Sequence, residues 1–197
     1  MRKLLLSLAS LVLLGIAGPL AAAEPPTDEV TATITFMREE EKLAHDVYLL
    51  FSAMYAGQEA GSMIFSRIAE SEQRHTDAVK GLLDEYGLPD PVAGMAAGEF
   101  ANQSLQDLYT TLVSVGAAGY TEALGVGVVI EQKDMTDLVA AIELSVAYAD
   151  VVQVYSNLLT GSEHHLAAFL KVLEVPEQGT QGVHGVQGTA HAGMKGR

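Results

Sequence analysis

The sequence predicts an all-α protein, most simply a four-helix bundle with a long crossover and one short extra helix between its second and third helices. Two observations carry this prediction. Apolar residues recur three and four positions apart through most of the chain, which is the spacing of helices that bury one face. Strand-like alternation never extends beyond a few residues, and no internal repeat is present.

Capping and helix-breaking residues set the predicted boundaries of these helices. Ser62 is expected to cap the second helix and Gly87 to end it, and the Pro-, Gly- and Ala-rich residues 88–103 form the crossover. In chain order the helices are predicted over Thr27 to about Ala56, Met63–Tyr86, Ser104 to about Val115, Tyr120 to beyond Glu131 with a break near Asp134, and about Ser145 to Glu174.

The first 23 residues have the layout of a secretory signal peptide. Arg2 and Lys3 precede an apolar run over residues 4–16, and small residues at 21–23 suit cleavage near Ala23. The apolar run is shorter than the about 20 residues needed to span a bilayer. We therefore predict a signal peptide over 1–23, a periplasmic or secreted protein, and no stable membrane anchor after cleavage.

The remaining chain divides into a helical domain and a tail. Residues 24–176 hold the predicted helices, whereas residues 177–197 are rich in Gly and poor in apolar side chains, a composition typical of disorder. We expect one folded domain followed by a disordered tail.

Composition excludes several classes of function. The chain has no Cys, which rules out thiolate metal sites, iron–sulfur clusters and thiol catalysis. Its formal net charge of −14 argues against nucleic acid as a partner, because a polyanion would be repelled over most of the surface. His, Met and carboxylate side chains are left as the residues able to bind a metal.

Polar residues interrupt the apolar stripe of every long helix near its middle. Glu72 and His75 lie within the stripe of the second helix, and Ser162 and His165 lie within that of the last. The interrupting residue of the third long helix is Glu131. In the first helix either Glu40 or Glu41 points inward, and periodicity alone does not choose between them.

Such a set of side chains predicts a buried metal centre. An ionised carboxylate inside a helical bundle costs several kcal/mol unless it is paired or bound to a cation. Few basic residues are available on the inward stripes. Mixed carboxylate and imidazole donors suit iron, with manganese or zinc as alternatives.

Four segments carry a resemblance to a known group of proteins. Together FMREEEKLAHDVY, IAESEQRHTDAV, ALGVGVVIEQKDM and NLLTGSEHHLAAF resemble a ferritin-like family of unassigned function, over about Val30 to Leu173. The chain is also distantly similar to rubrerythrin and bacterioferritin. The resemblance implies a ferritin-like bundle with a di-iron or single-metal carboxylate centre.

The resemblance also implies a ligand set. In the similar families the first-helix Glu ligand is followed seven residues later by Tyr. This chain has Tyr48 seven residues after Glu41, so the resemblance selects Glu41 and not Glu40. The implied metal ligands are Glu41, Glu72, His75, Glu131 and His165. The relatives carry a second Glu-x-x-His pair where this chain has Ser162 and His165, so we expect one tightly held ion and one labile ion.

Two classes of function follow. The first is an exported oxidoreductase that oxidises Fe(II) or reduces oxygen or peroxide, with catalytic residues unassigned. The alternative is a non-catalytic metal-binding protein, or a helical scaffold whose polar cluster holds no metal. Metal ions are the expected partners, and a homodimer is left open.

Overall fold

The computed structural model describes residues 25–57 and 63–174, in which helices are joined by turns and irregular segments. It contains five α-helices and no strand: α1 (Asp28–Met54), α2 (Met63–Tyr86), α3 (Gln103–Gly116), α4 (Tyr120–Leu144) and α5 (Ala149–Glu174). The prediction of an all-α protein is confirmed. The predicted signal peptide, the Ser62 cap and the predicted tail lie outside the described residues.

Local sequence explains where the helices begin and end. The Thr27 side chain accepts a hydrogen bond from the Val30 amide at the start of α1, and the Asn102 side chain caps α3 in the same way. Gly87 adopts a φ of 66° immediately after α2, a left-handed conformation that glycine adopts without a Cβ clash.

Two predicted boundaries were wrong. Helix α4 continues without a break through Asp134, because the Asp134 carboxylate bonds to a side chain of α5 and does not compete with the backbone of its own helix. Helix α5 begins at Ala149, since Ser145 ends α4 and the Tyr148 amide donates to the Ser145 carbonyl in the intervening turn.

Each of the four long helices packs against two of the other long helices. Helix α1 contacts α2 and α4, and α5 contacts the same two helices, while the shorter α3 packs on α1 and α4. No helix of the described residues is long and apolar enough to cross a membrane.

The core consists of two apolar clusters separated by a polar layer. On α1, one cluster takes residues 30–37 and the other takes residues 43–51 together with Tyr55 just after the helix. Helices α2 and α4 show the same division around residues 72–75 and 131–134. On α5 the clusters lie on either side of Ser162 and His165. The polar side chains of all four long helices are therefore at one level, enclosed above and below by apolar packing.

Candidate metal centre

Five predicted ligands converge in the polar layer between the two apolar clusters. Each is buried, with no more than 9% of its surface exposed: Glu41, Glu72, His75, Glu131 and His165. Helix α1 supplies one of these side chains, α2 two, α4 one and α5 one.

The donor atoms form two groups that share Glu72. Glu41, Glu72 and His75 form one group whose potential ligand atoms lie within 4.8 Å of one another, and Glu72, Glu131 and His165 form the other. The Nδ1 atom of His75 lies 2.9 Å from Glu72 Oε2, and that of His165 lies 2.7 Å from Glu72 Oε1. Each oxygen of the Glu72 carboxylate therefore faces a different imidazole.

The outer carboxylates lie somewhat farther from the same nitrogens. Glu41 Oε2 is 3.3 Å from His75 Nδ1, and Glu131 Oε2 is 3.5 Å from His165 Nδ1. The two imidazole rings stack with their centroids 5.4 Å apart. Both rings thus turn Nδ1 towards Glu72 from adjacent positions, and each also faces one outer carboxylate, Glu41 for His75 and Glu131 for His165.

Several potential metal-ligand atoms in this cluster have no hydrogen-bond partner within the described residues. The N···O separations qualify as ion pairs, yet neither Nδ1 makes a hydrogen bond of acceptable geometry within the described residues. Glu41 Oε1 and Glu72 Oε1 are equally unpartnered. Buried polar atoms nearly always have partners, so a group of unpartnered atoms that point at one another fits a bound cation.

Basic side chains do not fill this role. Within residues 25–57 and 63–174, no Lys or Arg forms an ion pair with Glu41, Glu72 or Glu131. The nearby cations have other partners: Arg38 pairs with Asp90, Lys42 with Asp46, and Lys133 with Glu40 and Asp137.

Burial and proximity shift the pKa of every group in the cluster. Burial raises the pKa of Glu41 to about 8 and that of Glu131 to about 7, against the opposing contacts with the imidazoles. For Glu72, burial alone would raise the pKa, but His165 and His75 outweigh it and lower the pKa to about 2.

The imidazoles show the reverse effect. Burial favours their neutral forms, yet the adjacent carboxylates raise the pKa of His75 to about 11 and that of His165 to about 9. A cation-free cluster consequently retains protons at neutral pH, and a metal ion would replace them.

The structure separates Glu40 from Glu41, which periodicity could not do. Both side chains are buried, but Glu41 faces His75 whereas Glu40 Oε1 lies 2.5 Å from Lys133 Nζ. Glu41 is the member of the cluster, as the register with Tyr48 implied. The Tyr48 hydroxyl donates to Glu131 Oε1 at 2.6 Å.

Sequence reasoning missed Asp134, which is buried in the same layer and receives a hydrogen bond from Ser162. A signal was present. Starting at Leu124, a three-then-four spacing on α4 gives the inward series Leu124, Gly127, Glu131, Asp134, Leu138 and Ala141, all of them buried. A four-then-three spacing from the same residue also reaches Glu131, through Val128, but continues to Met135, which is only partly buried, and so passes over Asp134.

Comparison with known proteins identifies relatives of this chain. A protein from Methanocaldococcus jannaschii, described as uncharacterized protein MJ0754, is 43% identical over 150 residues, which is 76% of this chain and 78% of that protein. The crystal structure titled hypothetical protein MJ0754 from Methanococcus jannaschii is similar with a TM-score of 0.70, covering 76% of this chain and 82% of the solved chain.

A family model supports the same relationship. The model described as an uncharacterized protein domain, DUF2202, matches residues 31–184, a range that includes all five predicted ligands. The chain belongs to the DUF2202 family.

Proposed function

We propose that this protein binds two transition-metal ions in the polar layer of a ferritin-like helical bundle. The observation that carries the proposal is Glu72, whose two carboxylate oxygens face two different imidazoles, His75 and His165. One ion would be held by Glu41, Glu72 and His75, and the other by Glu72, Glu131 and His165. The packing of α1, α2, α4 and α5, each against two others, supports the bundle assignment.

Iron is the metal that the donor set favours most, with manganese or zinc as alternatives. Three carboxylates and two imidazoles present oxygen and nitrogen donors without any thiolate, since the chain has no Cys. Such ligands suit Fe and Mn, and Zn accepts them as well.

Redox activity is the function we propose for a centre of this kind: Fe(II) oxidation, or the reduction of oxygen or peroxide. A bound pair of Fe(II) ions would supply two electrons, which together with two protons is what converts hydrogen peroxide into two water molecules. The chain contributes donor atoms held in place by two apolar clusters, a dry surrounding, and ionisable groups with pKa values near neutrality, Glu131 among them.

A second candidate is a helical scaffold whose polar layer binds no metal. The short ion pairs favour it: His165 Nδ1 to Glu72 at 2.7 Å and His75 Nδ1 to Glu72 at 2.9 Å would let two imidazolium groups neutralise the central carboxylate. This alternative leaves Glu41 Oε1, which is buried and has no hydrogen-bond partner, unexplained. It predicts no gain in thermal stability on adding metal ions.

Metal content distinguishes the two candidates. The protein would be purified without a His tag, titrated anaerobically with Fe(II), and assayed for metal per chain and for melting temperature. Wild type is expected to bind two ions, and Glu72→Gln, which keeps the shape of the shared ligand, is expected to lose both. Glu70→Gln, an exposed residue on the same helix, is the matched control. No bound metal and an unchanged melting temperature in wild type would leave the scaffold.

We propose export as well, supported by the pattern of residues 1–23. Expression of the full chain should give a mature protein in the extracytoplasmic fraction whose first residue follows Ala23. Mass spectrometry of that fraction tests it, and an intact N-terminus in the cytoplasmic fraction would contradict it.

A further inference from the structure

Asp134 is a buried carboxylate in the polar layer that the proposed set of metal ligands does not include. It lies on α4 three residues after Glu131, in the polar layer, with only 5% of its surface exposed. Asp134 Oδ2 lies 2.5 Å from the Ser162 hydroxyl oxygen on α5, whereas Oδ1 has no hydrogen-bond partner within the described residues.

The charged groups that act most strongly on Asp134 are carboxylates. It interacts electrostatically with Glu41, which acts on it most strongly, and also with Glu72 and Glu131. Lys133, the next residue back along the chain, is engaged by Glu40 and Asp137. Within the described residues no Lys or Arg forms an ion pair with Asp134, and a buried carboxylate without a basic partner must either keep a proton or bind a cation.

Helix α5 provides a reason for a carboxylate on α4. Ser162 lies on the inward stripe of α5 at the level of the polar layer, whereas the adjacent Glu163 is exposed. Ser162 is itself 1% exposed and small, so it leaves room for a side chain from the facing helix. Asp134 reaches that position, which keeps four carboxylates in the layer: Glu41, Glu72, Glu131 and Asp134.

We propose that Asp134 is a fourth carboxylate ligand of the metal centre and that Ser162 positions it. The inference rests on the proposed function, and it changes one expectation drawn from the sequence. A site that lacked a carboxylate at position 162 would hold one ion weakly, whereas a site completed by Asp134 holds both ions firmly.

Ser162 acts as a positioning residue through its single proton. Its hydroxyl oxygen lies 2.5 Å from Asp134 Oδ2 and 3.0 Å from the Leu158 carbonyl oxygen, and one proton serves only one acceptor at a time. Donation to an ionised Asp134 fixes Oδ2 and leaves Oδ1, the unpartnered oxygen, free to bind the ion.

The test counts the ions bound by carboxamide variants. Asp134→Asn keeps the shape of the side chain and removes its charge, and Asp137→Asn, one turn farther along α4 and half-exposed, is the matched control. Native mass spectrometry after anaerobic Fe(II) loading gives ions per chain, and competition with a chelator gives each Kd. Circular dichroism confirms the fold of each variant.

We expect two ions in wild type and in Asp137→Asn. In Asp134→Asn, one ion should be lost or its Kd should rise at least about tenfold, and Ser162→Ala should weaken the same ion by about tenfold. Asp134→Asn with wild-type stoichiometry and affinity would overturn the inference and leave the proposed function standing. Absence of metal from wild type would overturn both.

A relocation variant makes the test independent of damage to the fold. Asp134→Ser combined with Ser162→Glu moves the carboxylate from α4 to α5 and keeps the number of acidic groups. If the position of the carboxylate is what matters, this double variant binds two ions where Asp134→Ser alone binds one. Equal stoichiometry for the double and single variants, both below wild type, would contradict the assignment of position 134 as a replacement for position 162.

Discussion

The Tyr48 hydroxyl donates a hydrogen bond of 2.6 Å to Glu131 Oε1, linking α1 to the carboxylate that α4 contributes to the candidate metal centre. Both side chains are essentially inaccessible to solvent, at 0% and 1% exposure. The bond leaves Glu131 Oε2 as the oxygen that faces His165. Tyr48 therefore selects which oxygen of Glu131 points into the cluster.

Removing this hydroxyl should weaken both the fold and the site. Tyr48→Phe leaves a buried carboxylate oxygen without its donor, and we expect a loss of about 1.5–3 kcal/mol in the free energy of unfolding. Metal affinity should fall by about 10- to 100-fold, because the ligand loses its orienting partner. Urea denaturation and metal titration measure the two effects.

Tyr155→Phe is the control for this change. Its hydroxyl contacts Thr33 Oγ1 at 3.1 Å in the other apolar cluster, so its removal should lower stability by about 0.5–1.5 kcal/mol and leave metal affinity unchanged. Equal effects of the two variants on metal binding would refute the special role of Tyr48.

Gly161 allows α5 to approach the His75 ring. A Cβ at this position would lie 2.5 Å from His75 Nε2 and 2.7 Å from its Cε1 atom, distances at which the ring must move. Gly161→Ala should therefore displace His75 and weaken the ion held with Glu41, while helix content measured by circular dichroism stays near that of wild type.

Gly81 provides the contrasting glycine. It lies within α2 with nothing within 4 Å of an added Cβ, so Gly81→Ala should stabilise the protein by about 0.5–1 kcal/mol. Metal titration of both variants separates crowding at the site from helix propensity. Wild-type affinity in Gly161→Ala would contradict the prediction.

Metal affinity should rise with pH. Burial raises the pKa of Glu41 to about 8 and that of Glu131 to about 7, and adjacent carboxylates raise the pKa of His165 to about 9. Protons held by the metal-free site at neutral pH must leave when a cation binds, so the apparent affinity increases about tenfold per pH unit for each proton displaced. Calorimetry in buffers with different ionisation enthalpies counts these protons, and an affinity independent of pH would disprove their displacement.

The pair formed by Arg38 and Asp90 should make stability depend on pH in the acid range. Arg38 Nε and Nη2 donate to the two Asp90 oxygens at 3.1 and 3.0 Å, which ties the crossover to α1. Burial alone would raise the pKa of Asp90, but Arg38 and the Val92 amide lower it. Because the folded pKa lies below the unfolded value of about 3.9, the pair stabilises the protein above that pH and loses its effect as the pH falls through the folded pKa.

Asp90→Asn tests this pair. Near neutral pH it should reduce the free energy of unfolding by about 1–3 kcal/mol, and the difference from wild type should shrink below about pH 4. Asp84→Asn removes an exposed partner of Lys80 and should change stability by less than about 0.5 kcal/mol. A difference for Asp90→Asn that stays constant with pH would contradict the ionic origin of the effect.

Much of the fold could be predicted from the sequence, because the spacing of apolar residues shows which face of a helix is buried. The inward series of α2 placed Glu72 and His75 in the polar layer, and that of α5 placed Ser162 and His165 there. Helix α5 buries a single stripe, whereas α2 buries its stripe together with neighbouring residues such as Ala69 and Thr76, and in both helices the polar pair lies at the centre. The polar pairs of α2 and α5 lie close together because the two helices pack against each other at that level.

By itself, the sequence determined the all-α class, the long helices and four of the five side chains that converge in the core, and its resemblance to a known family suggested the fifth, Glu41. Tertiary structure alone decided that Glu72 is shared by two groups of donors, that Glu40 pairs with Lys133, and that Asp134 occupies the space beside Ser162. The physical reason is that α4 packs against α1, α3 and α5, so it buries more than one stripe and its spacing admits more than one inward series. Which carboxylate faces the cluster depends on the rotation of the helix against its neighbours, a quantity that only packing fixes.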